Sequence, residues 1–183
     1  MGSAQCTEAG FRRRLATVRC PLCAVHFMKV TLIWPASSSE KDFADAIGRY
    51  LKRIRHFFPI EITEVPAERG RQSQSDATMM RGQSARLLAA IPQKGTIVVL
   101  DERGETLDSL KFAKWLERLT IDSPHGIHFV VGGDVGFDDT VRARADRLLS
   151  LSPMTLPHQI ARVVLLEQIY RACTLMRNIR YHK

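Results

Sequence analysis

The sequence predicts an α/β domain with a five-stranded, mainly parallel sheet flanked by helices. From Met28 onward, apolar runs of strand length alternate with amphipathic segments of helix length. One of the apolar runs, Thr96–Leu100, is continuous and mostly β-branched, which is typical of a parallel strand covered on both faces. Five such runs interleaved with helical segments therefore indicate this fold class.

The composition is that of an ordinary globular chain with an excess of basic residues. With 183 residues, 45% of them hydrophobic and 25% charged, the chain fits one domain with a sizeable core. The formal net charge of +8 favours a polyanionic partner, although a soluble basic protein without one remains the alternative. No apolar run approaches the roughly 18 to 20 residues that a membrane span requires, so we expect no membrane partner.

The cysteines argue for a reducing compartment. A disulfide framework in a chain of this length would need more cysteines, more evenly spaced. We therefore expect a cytoplasmic protein whose cysteines are free: Cys6, Cys20, Cys23 and Cys173.

The segment before Met28 differs from the rest of the chain. We interpret residues 1–27 as an N-terminal extension, disordered or derived from a mis-assigned start, and residues 28–183 as the domain. As an alternative to a disordered extension, Cys20 and Cys23, with another cysteine and a histidine nearby, could bind zinc. The second pair of ligands that a zinc motif needs is missing, so we predict no metal. The arginine-rich, acid-poor composition also fits an organellar transit peptide.

The first half of the domain begins with a buried strand at Lys29–Ile33. Apolar residues at helical spacing then predict a helix from Phe43 that Pro59 stops. Ile60–Val65 alternates apolar and polar residues, which indicates a half-exposed edge strand. The polar segment Glu68–Gln74 follows; such a loop either contacts a phosphate backbone or is simply solvated.

The middle of the domain contains two helices around the central strand. The first is predicted from Ser75 or Asp76 to about Ala90. After the strand Thr96–Leu100, we expect Asp101–Glu105 to form an exit loop. A helix starting near Ser109 follows, and its aromatic stripe is assigned to core packing.

The last third contains two strands whose exit loops point to a ligand site. Ile127–Val131 is followed by the glycine loop Gly132–Gly136, which a ligand site or a tight turn explains equally well. A short helix follows near Asp138, and a second strand, Leu148–Ser152, leads into a proline-bracketed loop. In open α/β sheets, ligands bind where such loops leave neighbouring strands.

A long helix is predicted from Pro157 or His158 to Met176. Its apolar positions cover more than one face, as expected for a helix packed against its own sheet and a partner subunit. The chain has no GxxxxGK[ST] motif, which argues against nucleoside triphosphate hydrolysis.

Four segments of the last third closely resemble the ribosomal RNA large subunit methyltransferase H family, a group of small SPOUT-superfamily enzymes. The resemblance spans Met28 to Lys183. The segment Ser150–His158 is the most specific of the four, and the glycines add support. The segments are Val130–Gly133, Ser150–His158, Arg162–Ala172 and Tyr181–Lys183.

The resemblance implies an S-adenosylmethionine-dependent enzyme that methylates N3 of a pseudouridine in 23S ribosomal RNA on the assembled ribosome. It also implies a homodimer and a C-terminal trefoil knot, a rare exception to the rule that chains are unknotted. In the family, S-adenosylmethionine lies bent in the knot. The implied cofactor contacts are Leu100, Gly133, Ser152, Pro153, Met154, Thr155, Leu156 and Pro157.

Catalytic and RNA-binding residues are predicted from residue chemistry within this family frame. The acceptor nitrogen carries a proton, which a base or a deprotonating field would help to remove. The candidates are Tyr181 and His182, on a tail that could cross the dimer, and His158; each could instead serve the pocket shape, RNA binding or helix capping. Four arginines are predicted to contact RNA phosphates: Arg162, Arg171, Arg177 and Arg180.

This sequence departs from the family pattern at two places. Asp134-Val135 replaces the usual Pro-Glu of the glycine loop, and Ile179-Arg180 replaces the usual His-Pro before the final Tyr-His.

Two other functions remain open. A basic RNA-binding module with a decayed cofactor site would bind ribosomes without S-adenosylmethionine, and a Rossmann-type dinucleotide enzyme would need an acidic ribose partner that is missing near Ser152–Leu156.

Overall fold

A computed structural model describes residues 29–36, 41–67 and 75–181. The predicted extension at residues 1–27, the polar segment Glu68–Gln74 and the catalytic candidate His182 lie outside these ranges. Within them, strands and helices alternate along the chain as the sequence predicts. The strands are β1 (Val30–Pro35), β2 (Ile60–Val65), β3 (Thr96–Thr106), β4 (Ile127–Val130) and β5 (Arg147–Ser150), and the helices are α1 (Lys41–Ile54), α2 (Asp76–Ala90), α3 (Ser109–Asp122), α4 (Asp139–Ala143) and α5 (His158–Met176).

The five strands form one sheet in the order β2-β1-β4-β3-β5, and every neighbouring pair is parallel. The prediction of a five-stranded, mainly parallel sheet is therefore confirmed. β2 lies at the edge, as its alternating pattern predicts, and β3 lies inside the sheet. Consecutive strands are joined through helices, which places the carboxyl ends of all five strands at one edge.

The prediction that Asp101–Glu105 forms a loop is wrong, because β3 continues to Thr106. The pairing of β3 with β5 shifts register between Leu100 and Glu105, which marks a bulge in β3. Gly104 makes this possible: a Cβ there would lie only 2.5 Å from the backbone nitrogen of Leu149. Asp101 and Glu102 therefore belong to a strand and not to a loop.

Helices cover both faces of the sheet. On one face, α1, α3 and α5 pack against β1 and β4, and this cluster includes Trp34 and Phe129, at most 1% exposed. On the other face, α2 and α4 cover a smaller cluster that includes Ile33 and Val99, both fully buried. Within the described residues, no helix is both long and apolar enough to cross a membrane.

Helix α5 starts at the carboxyl edge of the sheet and crosses the larger face. Its buried side chains, which include Leu165, Leu166 and Ile169, pack between α1 and α3. Its first residue, His158, lies beside the glycine loop, and its last turn lies far from that edge. Helix α5 thus ties the site described below to the core of the domain.

Candidate functional site

A cavity of about 630 Å³ opens at the carboxyl edge of the sheet, where ligands bind in open α/β folds. Three segments form most of its lining: the bulged part of β3, the loop that follows β4, and the segment that joins β5 to α5; Arg142 of α4 and the first turn of α5 complete it. The second and third segments are the exit loops that the sequence singles out, and the first contains the predicted contact Leu100. The topology thus brings three distant parts of the chain to one pocket.

The glycine loop after β4 is a tight turn and also a wall of the cavity. The amide of Gly136 donates a hydrogen bond to the carbonyl of Gly133 over 3.0 Å. Gly136 has a φ of +66°, a left-handed conformation that favours glycine. Because both glycines also line the cavity, the two explanations of this loop are compatible.

The segment between β5 and α5 forms the opposite wall. The hydroxyl of Ser150 donates to the carbonyl of Ser152 over 2.9 Å, and the Ser152 hydroxyl accepts from the amide of Met154 over 2.9 Å. In the described chain, the amides of Thr155 and Leu156 donate to no backbone carbonyl outside the regular elements. This wall therefore offers peptide hydrogen-bond donors to a ligand.

The apolar part of the cavity wall includes a highly exposed methionine. Met154 is 75% exposed, the largest value among the exposed large hydrophobic residues of the described chain. Leu100, Leu151 and Leu156 also line the cavity and are partly exposed. Apolar walls with a few fixed polar groups are typical of small-molecule pockets.

An ion pair at the floor of the cavity joins β3 to α4. Arg142 donates from Nε to Oδ2 of Asp101 over 2.6 Å, and the Asp101 side chain is only 3% exposed. Burial tends to raise the pKa of Asp101, but hydrogen bonds from the Arg103 amide and from Arg142 hold it below its usual value. The guanidinium also lies over the ring of Phe137, 5.2 Å from its centroid.

A second polar contact joins the glycine loop to α5. The Nδ1 atom of His158 lies 2.9 Å from Oδ1 of Asp134. The His158 side chain is 8% exposed and that of Asp134 is 88% exposed. Burial lowers the pKa of His158, the nearby Asp134 carboxylate raises it, and the charge of Arg162 lowers it, for a net lowering.

Seven of the eight predicted cofactor contacts line this one cavity. Pro153 is the exception: it is exposed and is not part of the lining. His158 also lines the cavity. The cofactor role of these residues remains a prediction, but their convergence on one pocket is a property of the fold.

Tyr181 lies in the tail after α5 and packs against the far part of that helix. Its ring meets that of Tyr170 edge-on at 4.8 Å, and Arg171 lies 5.0 Å from its centroid. Tyr170 follows His158 by twelve residues, roughly 18 Å along a helix. Burial raises the pKa of Tyr181, and a hydrogen bond with Tyr50 raises it further, which disfavours its phenolate as a base.

The four arginines predicted to contact RNA occupy different environments. Arg162 is fully buried; it donates to the carbonyl of Pro35 over 2.5 Å and lies 5.0 Å from the Trp34 ring centroid. Its assignment as a surface contact for phosphates is therefore corrected: in this fold it is a core residue. Arg171 is partly buried and forms an ion pair with Glu167 at 2.5 Å.

The remaining two arginines are more accessible to solvent than Arg162. Arg177 follows the last turn of α5 and is partly exposed, and Arg180 is exposed in the tail. Neither belongs to the lining of the cavity. They mark a basic surface at the opposite end of α5.

Sequence reasoning missed the two polar contacts at the cavity. The sequence pattern predicts Asp101 in a loop and gives no sign of its partner Arg142, which lies 41 residues further along the chain and is in direct contact with it. Asp134 and His158 are likewise separated by a helix and a strand. An acidic residue directly after a continuous apolar run is a weak signal that could have identified Asp101.

Comparisons with known proteins agree with the fold. The family model described as "Predicted SPOUT methyltransferase" matches residues 28–182. The ribosomal RNA large subunit methyltransferase H of Gemmatimonas aurantiaca is 41% identical over 156 residues, covering 85% of this chain and 100% of that protein. The protein of the same name from Enterococcus faecalis is 36% identical, with 85% and 100% covered.

Among solved structures, a probable methyltransferase from Bordetella pertussis aligns with a TM-score of 0.49 and 17% identity, covering 84% of this chain and 98% of that one. The sequence matches show the family, because they extend over most of this chain and all of the two relatives. The chain belongs to the SPOUT methyltransferase family, together with the ribosomal RNA large subunit methyltransferase H proteins.

Proposed function

We propose that the cavity binds S-adenosylmethionine and that the protein methylates N3 of a pseudouridine in 23S ribosomal RNA on the assembled ribosome. The observation that carries this proposal is the meeting of three strand exits at one pocket, with seven predicted cofactor contacts on its walls. Membership of a methyltransferase family supports the reaction class. The names of the relatives support ribosomal RNA as the substrate.

The residues of the cavity fit this cofactor chemically. The amides of Thr155 and Leu156 can donate to the ring nitrogens of an adenine, and Leu100 and Leu156 provide apolar contacts for its faces. The glycine loop allows a ligand to approach its backbone closely. When bound, S-adenosylmethionine supplies an activated methyl group.

The chain's own task is then to position the acceptor in line with the methyl group. His158 is the catalytic candidate nearest the cofactor, because it lines the cavity. Tyr181 is anchored on α5 by Tyr170 and Arg171, so a role for Tyr181 or His182 in catalysis would require the tail of a second copy. This is our reason for proposing a homodimer.

We further propose that the segment from the bulge of β3 to α5 forms a trefoil knot. The sheet order β2-β1-β4-β3-β5 and the meeting of three loops at one cavity support this topology. Arg177 and Arg180 are proposed to contact ribosomal phosphates, which gives binding that weakens with salt. A ribosomal substrate also supports the proposed cytoplasmic location.

Calorimetry followed by a transfer assay tests the proposal. We expect S-adenosylmethionine to bind, NAD to give no heat, and labelled methyl groups to pass to large-subunit RNA when ribosomes from a strain lacking this gene are added. Ribosome binding without S-adenosylmethionine binding would support the RNA-binding module instead. NAD binding would support the dinucleotide enzyme, and either outcome would overturn the methyltransferase proposal.

A further inference from the structure

The contact between Asp134 and His158 joins two walls of the cavity. Asp134 lies at the tip of the turn that the Gly136 amide closes onto the Gly133 carbonyl. His158 is the first residue of α5. Both residues line the cavity, and the 2.9 Å contact between Nδ1 and Oδ1 spans the gap between the glycine loop and the helix.

This contact selects one form of the imidazole. A carboxylate oxygen only accepts hydrogen bonds, so the 2.9 Å contact with Oδ1 of Asp134 favours the form of the ring in which Nδ1 carries the proton. In the neutral ring, Nε2 then keeps its lone pair. Within the described residues Nε2 of His158 makes no hydrogen bond, so it can accept a proton or a hydrogen bond from a group in the cavity.

The surroundings of His158 hold the ring in this neutral form. Burial lowers its pKa, and the charge of Arg162, one turn further along α5, lowers it again. The amino end of a helix also disfavours a positive charge. Asp134 acts in the opposite direction, and the remaining charged groups of the cavity lining are Asp101, Glu102 and Arg142.

We propose that Asp134 is a positioning residue that directs Nε2 of His158 into the cavity as the acceptor of the substrate's proton. This inference rests on the proposed methyl transfer and adds to it a residue that acts through His158. The 88% exposure of the Asp134 side chain indicates that it is not needed for the core. Within the described chain, its one ion-pair contact is with the histidine.

The proposed step balances as follows. The acceptor nitrogen loses its proton to Nε2, and its electron pair forms the new bond to the methyl carbon. The bond between that carbon and the sulfonium sulfur breaks, and its electron pair stays on sulfur as a neutral thioether. The positive charge thus moves to the imidazolium of His158, beside the carboxylate of Asp134.

The first test measures the tautomer and needs neither cofactor nor activity. In a protein labelled with ¹⁵N at histidine, the His158 signals are assigned by their loss in His158→Gln. We expect Nδ1 protonated and Nε2 unprotonated at pH 7.5. Asp134→Ala should shift the ring toward the Nε2-protonated form and lower the pKa of His158, because the carboxylate that favours the imidazolium is gone.

The matched control is Glu105→Ala, which removes one exposed carboxylate from β3 outside the cavity lining. It should leave both the tautomer and the pKa of His158 unchanged. An Asp134→Ala protein with the wild-type tautomer would overturn the inference. So would a control that shifts the tautomer as much as Asp134→Ala does.

The second test measures single-turnover methyl transfer against pH. For wild type, the rate should rise with pH through the pKa of His158 found by NMR. For Asp134→Ala, this rise should move to lower pH, and the plateau rate should fall about tenfold, less than the roughly 10²- to 10⁴-fold contribution of a general base, because His158 itself remains. A residue that only braces the loop would lower S-adenosylmethionine affinity without moving the pH profile.

The two proposals fail in distinguishable ways. If the wild-type protein transfers no methyl group to ribosomal RNA, the proposed function fails, whatever the tautomer. If wild type is active and Asp134→Ala has the same rate and pH profile, the role of Asp134 is refuted while the proposed function stands.

Discussion

Replacing Met154 by alanine tests whether the exposed wall of the cavity contacts a ligand. Fully burying a methionine side chain is worth about 1.5 to 3 kcal/mol. Since Met154 is 75% exposed, a ligand that covers it can gain at most about three quarters of this, roughly 1 to 2 kcal/mol. The Kd for S-adenosylmethionine should therefore rise about five- to thirtyfold in Met154→Ala.

The stability of the same variant should hardly change. A side chain this exposed contributes little to folding, so the free energy of unfolding in urea should stay within about 0.5 kcal/mol of wild type. Leu110→Ala is the matched control, because Leu110 is also apolar and 54% exposed but lies on α3, outside the cavity lining. Calorimetry at one salt concentration measures both variants.

Two results would refute the reasoning. One is a Kd for Met154→Ala within twofold of wild type, which would mean that the ligand does not cover this side chain. The other is an equal loss of affinity in Leu110→Ala, which would mean that the effect of Met154 is not local to the cavity.

Three further predictions concern the charged and titratable groups of the domain. Arg142→Met should lower the free energy of unfolding in urea by about 2 to 3 kcal/mol, because it leaves the Asp101 carboxylate buried without its charged partner. The control Asp139→Asn removes the exposed partner of Arg142 and should lower it by less than about 1 kcal/mol. Burial lowers the pKa of His128 in the folded protein below the value of about 6.5 for a histidine in the unfolded chain. Below about pH 6.5 the unfolded chain therefore binds more protons than the folded protein. Stability should be fully present above that pH and fall as the pH drops toward about 5, with a smaller drop in His128→Gln. An equal drop in both proteins would contradict this. Arg180→Ala should weaken ribosome binding and reduce the slope of log K against log salt by about 0.7 to 0.9, without a change in stability. Arg162→Met, in contrast, should destabilise the fold. Filter binding between about 50 and 200 mM salt, together with urea unfolding, distinguishes the two variants.

Local sequence patterns predicted the strands and helices because burial and periodicity determine them. Val98 and Val99 are fully buried in an internal strand, as a continuous apolar run predicts. The extension of β3 through Asp101 was missed because its residues are polar. Their strand conformation depends on the close approach of Gly104 to β5, which is a tertiary contact.

The cavity was predicted in part, for a similar reason. Exit loops can be located from strand ends, and the family resemblance indicated which residues to expect there. Charge alone did not reveal that Arg162 is fully buried while Arg180 is exposed. The contact of Asp134 with His158 joins elements whose distance in space no spacing in the sequence encodes.

The most direct test of the central claim is mass spectrometry of 23S ribosomal RNA from a strain that lacks this gene. We predict that one methylpseudouridine loses its methyl group, and that the wild-type gene restores it while a Met154→Ala gene restores it less efficiently at low S-adenosylmethionine. An unchanged methylpseudouridine in the strain without the gene would contradict the account.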